Sequence, residues 1–210
     1  MKKEIDSWAD GIIFSNIASP ITNLLPRNKY IPYLITLLTF LFRIIAGFLF
    51  YFNHIYSAVL FIILGAISDA VDGQSSRKIF GKDPELRGTL DFILDHISVV
   101  FIYVGLGNII PKSMYILFIF LLASHVLLMA LTSTKFRLTT QAIITTGVTR
   151  SIQDKFRRFG LIMHPCIGDS NLILWVLFPL FGFNIWLIII ATIIIWIDIL
   201  GVLVSIWHIL

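Results

Sequence analysis

The sequence predicts an all-α integral membrane protein with six transmembrane helices and an N-terminal interfacial helix. Of its 210 residues, 58% are hydrophobic and only 13% are charged, whereas soluble domains average about 25% charged residues. The apolar residues also form long runs, and about 20 helical residues cross the hydrocarbon of a bilayer. The single Cys166 excludes an internal disulfide and a multi-cysteine metal site. These observations exclude a soluble enzyme and a disulfide-stapled secreted domain.

The chain is predicted to begin with a membrane-surface helix and to continue as one membrane domain. Residues 1–30 mix acidic and Ser residues with Trp8, Ile12 and Ile17, a pattern typical of a cytoplasmic helix lying in the interface. Residues 31–210 are predicted to form the six-helix membrane domain. Its expected spans are residues 31–52, 55–74, 88–108, 112–133, 161–182 and 184–208.

Lys and Arg residues predict that both termini are cytoplasmic. With the N-terminus inside, every Lys and Arg lies on the cytoplasmic side except Arg43, which is within a span, and Lys112, which is outside. This distribution satisfies the positive-inside rule. It accounts for the net charge of +4, so no nucleic-acid partner is expected.

Two pairs of aspartates lie at the facing ends of the second and third spans. Asp69 and Asp72 are three residues apart and Asp91 and Asp95 are four apart, so each pair projects from one face of a helix. The clean apolar runs beside them are short, so the aspartate-bearing turns must complete each span. Carboxylates are costly in a bilayer, so an intramembrane cluster of four indicates a functional site. Four converging carboxylates favour a hard cation such as Mg²⁺ or Mn²⁺.

These residues belong to a longer motif. The stretch from Asp69 to Asp95 resembles the signature of the CDP-alcohol phosphotransferase (CDP-alcohol phosphatidyltransferase) family, D-x2-D-G-x2-A-R-x8-G-x3-D-x3-D. Besides the four aspartates, Gly73 and Arg77 match, and residues 32–36 resemble the Pro-x-x-x-Thr opening of the family's first span. Ser76 replaces the family's Ala. The segment between Arg77 and Asp91 is one residue longer, so Arg87 stands where the family has Gly, and Gly88 follows it.

The resemblance implies a phospholipid-synthesis enzyme with a cytoplasmic active site. The enzyme would transfer a phosphatidyl group from CDP-diacylglycerol to a small alcohol or phospho-alcohol and release CMP. Asp69, Asp72, Asp91 and Asp95 would hold two Mg²⁺ or Mn²⁺ ions, and Asp95 would also be the general base. The CDP moiety would contact Gly73, Ser76, Arg77 and Gly88. The family is commonly dimeric, which makes a homodimer an expected state beside the membrane-lipid partners.

Three other functions are alternatives. The chain could be a CDP-choline or CDP-ethanolamine type enzyme acting on a lipid alcohol, or a catalytically silent relative. A divalent-cation transporter would need a polar path to the far side, and the external halves of the second and third spans are apolar apart from Tyr103 and Asn108.

Several polar residues have two interpretations. Arg43 either contacts a lipid phosphate or pairs with an acid such as Asp198. The basic stretch 134–158 satisfies the orientation rule, or it binds an acceptor phosphate. Asp169 is expected to cap the fifth span, with a place near the acceptor as the alternative. His96, directly after the predicted base, is expected to pack or to form a hydrogen bond rather than to bind a ligand.

Overall fold

The computed structural model describes residues 13–81, 84–131 and 167–207, and these residues form helices joined by turns, with no strand among them. Besides the α-helices, a 3₁₀ turn covers Lys112–Met114 and a π-helical segment covers Ile173–Leu177. The helices are α1 Ser15–Leu24, α2 Ile31–Tyr51, α3 Ile55–Phe80, α4 Glu85–Ile109, α5 Tyr115–Leu131, α6 Ile167–Leu172, α7 Phe178–Leu180 and α8 Ile185–Trp207.

The helices agree with the predicted all-helical membrane class. Four segments are long and apolar enough to cross a membrane, namely Ile31–Tyr51, Ile55–Phe80, Glu85–Ile109 and Lys112–Leu131. Two shorter apolar helices cover Asp169–Leu180 and Ile185–Leu200. The first part of the fifth predicted span, 161–166, and the basic stretch 134–158 lie outside the described residues. The count of six spans therefore stays a prediction.

The helix ends explain where the predicted boundaries differ. Pro32 is in the first turn of α2, where its missing N–H costs no hydrogen bond. The sequence predicted an end for the second span at residue 74, and this boundary is wrong. Helix α3 continues to Phe80 and ends at Gly81, whose φ of 72° favours glycine. Helix α4 begins at Glu85, three residues before the predicted start. All four aspartates are therefore inside regular helix.

The chain divides into two compact units. Among the described residues, the N-terminal unit consists of 13–81, 84–112 and Pro179–Phe183, and the C-terminal unit consists of 113–131, 167–178 and 184–207. In the described part of the N-terminal unit, α2 packs against both α3 and α4, and α1 packs against α3. All the aspartates of the motif belong to this unit.

Helices α2 and α4 cross at two glycines. A Cβ atom on Gly105 would lie 2.2 Å from the carbonyl oxygen of Gly47, and one on Gly47 would lie 2.7 Å from the carbonyl oxygen of Phe101. These are contacts with backbone, which a side-chain rotation cannot relieve. Small residues let membrane helices approach this closely. The crossing fixes the spacing between Arg43, one turn before Gly47, and the aspartates of α4.

Helix α1 turns small side chains towards α3 and large apolar side chains outwards. The Gln74 side chain donates to the carbonyl oxygen of Ser15 at 3.0 Å, and Lys78 donates to the carbonyl oxygen of Thr22 at 3.1 Å. The buried face comprises Ser15, Ala18 and Thr22. The exposed face comprises Ile13, Ile17, Ile21 and Leu24. An exposed apolar face on a helix tied to α3 by polar bonds supports the predicted interfacial location.

In the C-terminal unit, α8 packs against α5 and α6. The buried His125 ring stacks on Trp175 with 6.4 Å between ring centroids, as expected for a structural histidine. Ser170 Oγ donates to the carbonyl oxygen of Ala191 at 3.1 Å. Asp169 is the third residue of α6 and is buried, so the prediction that it caps the helix start is wrong.

Candidate active site

Three carboxylates converge between the C-terminal half of α3 and the N-terminal half of α4. Asp91 and Asp95 lie one helical turn apart on α4, and Asp69 faces them from α3. One carboxylate oxygen from each of the three lies within 4.8 Å of the others. The side chains of Asp69 and Asp95 are 45% and 37% exposed, so the cluster is open to a ligand on one side.

Arg43 of α2 bridges two members of this acidic cluster. One guanidinium nitrogen donates to Asp69 Oδ2 at 3.3 Å, and the other donates to Asp95 Oδ1. A Cβ atom on Gly65 would lie 3.3 Å from Arg43 Cγ, so the absence of a side chain at Gly65 leaves room for the arginine to pass across α3. Of the two interpretations of Arg43, pairing with an acid is the observed one. The acids are Asp69 and Asp95, which lie on the neighbouring helices, rather than Asp198.

Asp72 lies outside the acidic cluster and belongs to a second, buried ion pair. Arg87 Nη1 donates to Asp72 Oδ2 at 2.8 Å, and the Thr36 hydroxyl donates to the same oxygen at 2.6 Å. Arg87 Nη1 also donates to Thr36 Oγ1 at 3.1 Å, and Arg87 Nε donates to Ser76 Oγ at 3.1 Å. The Asp72 and Arg87 side chains are each 3% exposed. This closed network, made of Thr36, Asp72, Ser76 and Arg87, is called the Arg87 cage below.

The four residues predicted to contact the CDP moiety have different surroundings. Ser76 is buried in the Arg87 cage. A Cβ atom on Gly73 would lie 3.5 Å from Arg77 Nη1, so the Arg77 guanidinium covers Gly73 one turn away. Among the described residues, no atom outside the neighbouring residues and the helix backbone lies within 4 Å of a Cβ built on Gly88. These surroundings do not test whether the nucleotide contacts Gly73, Arg77 and Gly88, so that role stays a prediction.

His96 is held by its own helix, as the sequence indicated. Its Nδ1 atom lies 2.6 Å from the carbonyl oxygen of Phe92, and its ring packs against the Phe92 ring with 3.9 Å between centroids. The prediction that His96 packs and forms a hydrogen bond is therefore confirmed.

The residues of the acidic cluster fit a divalent cation. Carboxylate oxygens are the ligands preferred by Mg²⁺ and Mn²⁺, and the oxygens of three carboxylates are already close together. The three carboxylates and the Arg43 guanidinium together leave two negative charges, which one divalent ion neutralises. Such a cluster suits the neutralisation of phosphate oxygens in phosphoryl transfer.

The described part of the chain is helical, with four long apolar helices and an acidic cluster between two of them. These features indicate a membrane protein with a candidate cation site. The model of one family, described as CDP-alcohol phosphatidyltransferase, matches residues 29–207. The chain therefore belongs to the CDP-alcohol phosphatidyltransferase family, which is a family of phosphotransferases that take the phosphatidyl group from a CDP-alcohol. No curated protein and no solved structure matches the chain significantly.

Sequence reasoning did not foresee the partners of Asp72. Thr36 was visible as the threonine of the Pro-x-x-x-Thr opening, and Arg87 was visible as a departure from the motif. Neither pattern says which carboxylate these side chains contact, because those contacts link residues 36, 72 and 87 across three helices.

Thr36 and Thr39 provide a matched test of the Arg87 cage. Both are 2% exposed on α2, but Thr36 donates to Asp72, whereas Thr39 Oγ1 has no hydrogen-bond partner among the described residues. Thr36→Val should lower the free energy of unfolding by about 1.5–3 kcal/mol, because a hydrogen bond to a charged group is lost. Thr39→Val should leave it unchanged or raise it. Thermal unfolding in detergent measures both, and equal effects would contradict the role of Thr36.

Proposed function

We propose that this protein transfers the phosphatidyl group of CDP-diacylglycerol to a small alcohol or phospho-alcohol and releases CMP, as a step of phospholipid biosynthesis. The observation that carries this proposal is the convergence of Asp69, Asp91 and Asp95 in a chain of this family. The proposed donor is a lipid because the acidic cluster lies between two helices that are apolar enough to span a membrane.

The proposed reaction is a direct displacement at phosphorus. The acceptor hydroxyl oxygen bonds to the phosphorus that carries the diacylglycerol, and the bond from that phosphorus to the CMP oxygen breaks. CMP leaves with the bonding electron pair, and the hydroxyl proton goes to the Asp95 carboxylate. A bound Mg²⁺ or Mn²⁺ supplies charge neutralisation on the phosphate oxygens. Arg43 positions Asp95 by its hydrogen bond.

Other residues support the donor in this proposal. Arg77 is suited to pair with a phosphate oxygen, since a guanidinium presents its donors in a fork. Gly73 and Gly88 carry no side chain that would keep a nucleotide away, provided that Arg77 turns from Gly73 onto the phosphate, and Ser76 is proposed to act through Arg87. The pair of ions that the sequence predicts would require all four aspartates, and Asp72 is the one that lies outside the acidic cluster.

The proposed orientation of the protein in the membrane follows from the distribution of Lys and Arg. We place the termini and the acidic cluster on the cytoplasmic side, with residues 1–30 as the interfacial segment and residues 31–210 as the six-span domain. Fourteen of the 16 Lys and Arg residues then face the cytoplasm, as the positive-inside rule requires. A homodimer is the proposed assembly on the strength of the family alone.

The experiment that tests the proposal is CMP release by the purified protein in mixed micelles. CDP-diacylglycerol is combined with glycerol 3-phosphate, inositol 1-phosphate, serine or inositol, with Mg²⁺, with Mn²⁺ and with a chelator. We expect release with one of these alcohols, and we expect the chelator to abolish it because the carboxylates alone cannot neutralise the diphosphate.

The same assay separates the alternatives. Release from CDP-choline or CDP-ethanolamine, with a diacylglycerol acceptor, would show that the lipid supplies the hydroxyl and would contradict the proposed donor. No release from any donor, by a protein that still binds Mn²⁺, would identify a catalytically silent relative.

A further inference from the structure

Arg87 makes the site of this protein different from a site in which all four aspartates can bind metal ions. It lies in the first turn of α4, four residues before Asp91, and its guanidinium is directed into the protein rather than towards solvent. It donates to Asp72, Thr36 and Ser76, and the distances lie between 2.8 and 3.1 Å. Every member of the cage is buried.

The cage occupies one of the two carboxylate oxygens of Asp72, and the other, Oδ1, is itself buried. Asp72 Oδ2 already accepts from Arg87 and from Thr36, and Asp72 is not among the carboxylates that converge. An ion on Oδ1 would add two positive charges to a carboxylate that the buried Arg87 guanidinium already neutralises. Like charges held close together away from water repel strongly, so a second ion on Asp72 should bind far more weakly than the first.

The charge of the remaining residues also suits one ion. When ionised, Asp69, Asp91 and Asp95 carry three negative charges, and Arg43 contacts two of them. The remaining two negative charges equal the charge of one divalent cation. A second ion would need a further carboxylate, and the nearest member of the motif is Asp72, which Arg87 already neutralises.

We propose that the Arg87 guanidinium takes the place of a second divalent ion on Asp72, so that this protein has a three-carboxylate centre for one ion. Arg87 is then a positioning residue that sets the number of ions. The catalytic role of that ion rests on the proposed function, but the number of ions that the protein binds does not depend on it. The extra residue between Arg77 and Asp91 brings this arginine to the position where the motif has glycine.

The test is a Mn²⁺ titration of the purified full-length protein in detergent, with free Mn²⁺ measured by electron paramagnetic resonance and without nucleotide or lipid substrate. We expect one Mn²⁺ per chain in the wild type. Arg87→Gly should bind two, because Asp72 becomes available, and the double variant Arg87→Gly with Asp72→Asn should return to one. Two ions in the wild type, or one in Arg87→Gly, would overturn the proposal.

Asp72→Asn in the wild-type background keeps the test decisive if Arg87→Gly does not fold. The asparagine amide oxygen can still accept from Arg87, so this variant should keep the fold at a lower unfolding temperature, because Arg87 loses its counter-charge, and it should bind one Mn²⁺ with nearly unchanged affinity. Asp91→Asn should weaken Mn²⁺ binding by about a hundredfold or more, since a ligand of the ion is lost. Equal weakening in the two variants would make Asp72 a ligand and overturn the proposal.

The number of bound ions tests the one-ion centre, and CMP release tests the proposed function, so each proposal can be contradicted without the other. One ion in the wild type and two in Arg87→Gly, without CMP release from any donor, would support the one-ion centre and contradict the proposed function. CMP release by a wild type that binds two ions would support the proposed function and overturn the one-ion centre.

Discussion

Replacing Asp95 by Asn is expected to slow CMP release by about a hundredfold to ten-thousandfold, the usual contribution of a general base. The proposed step gives the proton of the acceptor hydroxyl to the Asp95 carboxylate, and an amide cannot take it. Asparagine has almost the same shape, and its oxygen can still accept the hydrogen bond from Arg43. The fold and the position of Arg43 should therefore persist.

Two features of the measurement separate proton transfer from metal binding. Asp95 is also one of the three clustered carboxylates, so single-turnover rates are measured at Mn²⁺ concentrations that saturate each variant. Glu85→Gln is the matched control, because Glu85 is an exposed carboxylate on the same helix, outside the acidic cluster. We expect wild-type rates from Glu85→Gln. A rate for Asp95→Asn close to the wild type would assign the base to another residue.

Composition and hydropathy predict the helices of this chain because crossing a bilayer imposes length and apolarity on each segment. The predicted first and last spans, 31–52 and 184–208, agree closely with Ile31–Tyr51 and Ile185–Trp207. The second span was predicted too short because hydropathy falls after Asp69, whereas the helix continues to Phe80. Its end is set by Gly81, whose positive φ is a backbone property that hydropathy does not report.

The candidate site was predicted in its residues but not in its grouping. Spacing along one helix correctly indicates that Asp91 and Asp95 share a face, because that is a local property. Whether Asp72 joins them depends on Arg87 and Thr36, which reach it from two other helices. The sequence showed Arg87 as a departure from the motif, and the structure shows that its guanidinium is bound to an aspartate of that motif. Tertiary contacts of this kind have no periodic signal.

The crossing of α2 and α4 gives the largest expected effect on stability. Gly105→Ala would put a Cβ atom 2.2 Å from the Gly47 carbonyl oxygen and 3.0 Å from Phe50 Cβ. Since the first contact is with backbone, the helices must move apart. We expect a loss of unfolding free energy at or above the upper end of the about 1–3 kcal/mol that overpacking costs. Thermal unfolding in detergent, followed by the recovery of monodisperse protein, measures it.

Gly88→Ala is the control for this prediction because it makes the same substitution on the same helix. Among the described residues, no atom outside the neighbouring residues and the helix backbone lies within 4 Å of a Cβ at that position. Alanine is favoured over glycine within a helix by roughly 0.5–1 kcal/mol, so its stability should be equal to or above that of the wild type. If α2 and α4 move apart at Gly105, Arg43 should also move away from Asp95, because Arg43 lies one turn from Gly47 on α2. Gly105→Ala should therefore release CMP more slowly even below its unfolding temperature. Wild-type stability in Gly105→Ala would show that α2 and α4 do not require their close approach.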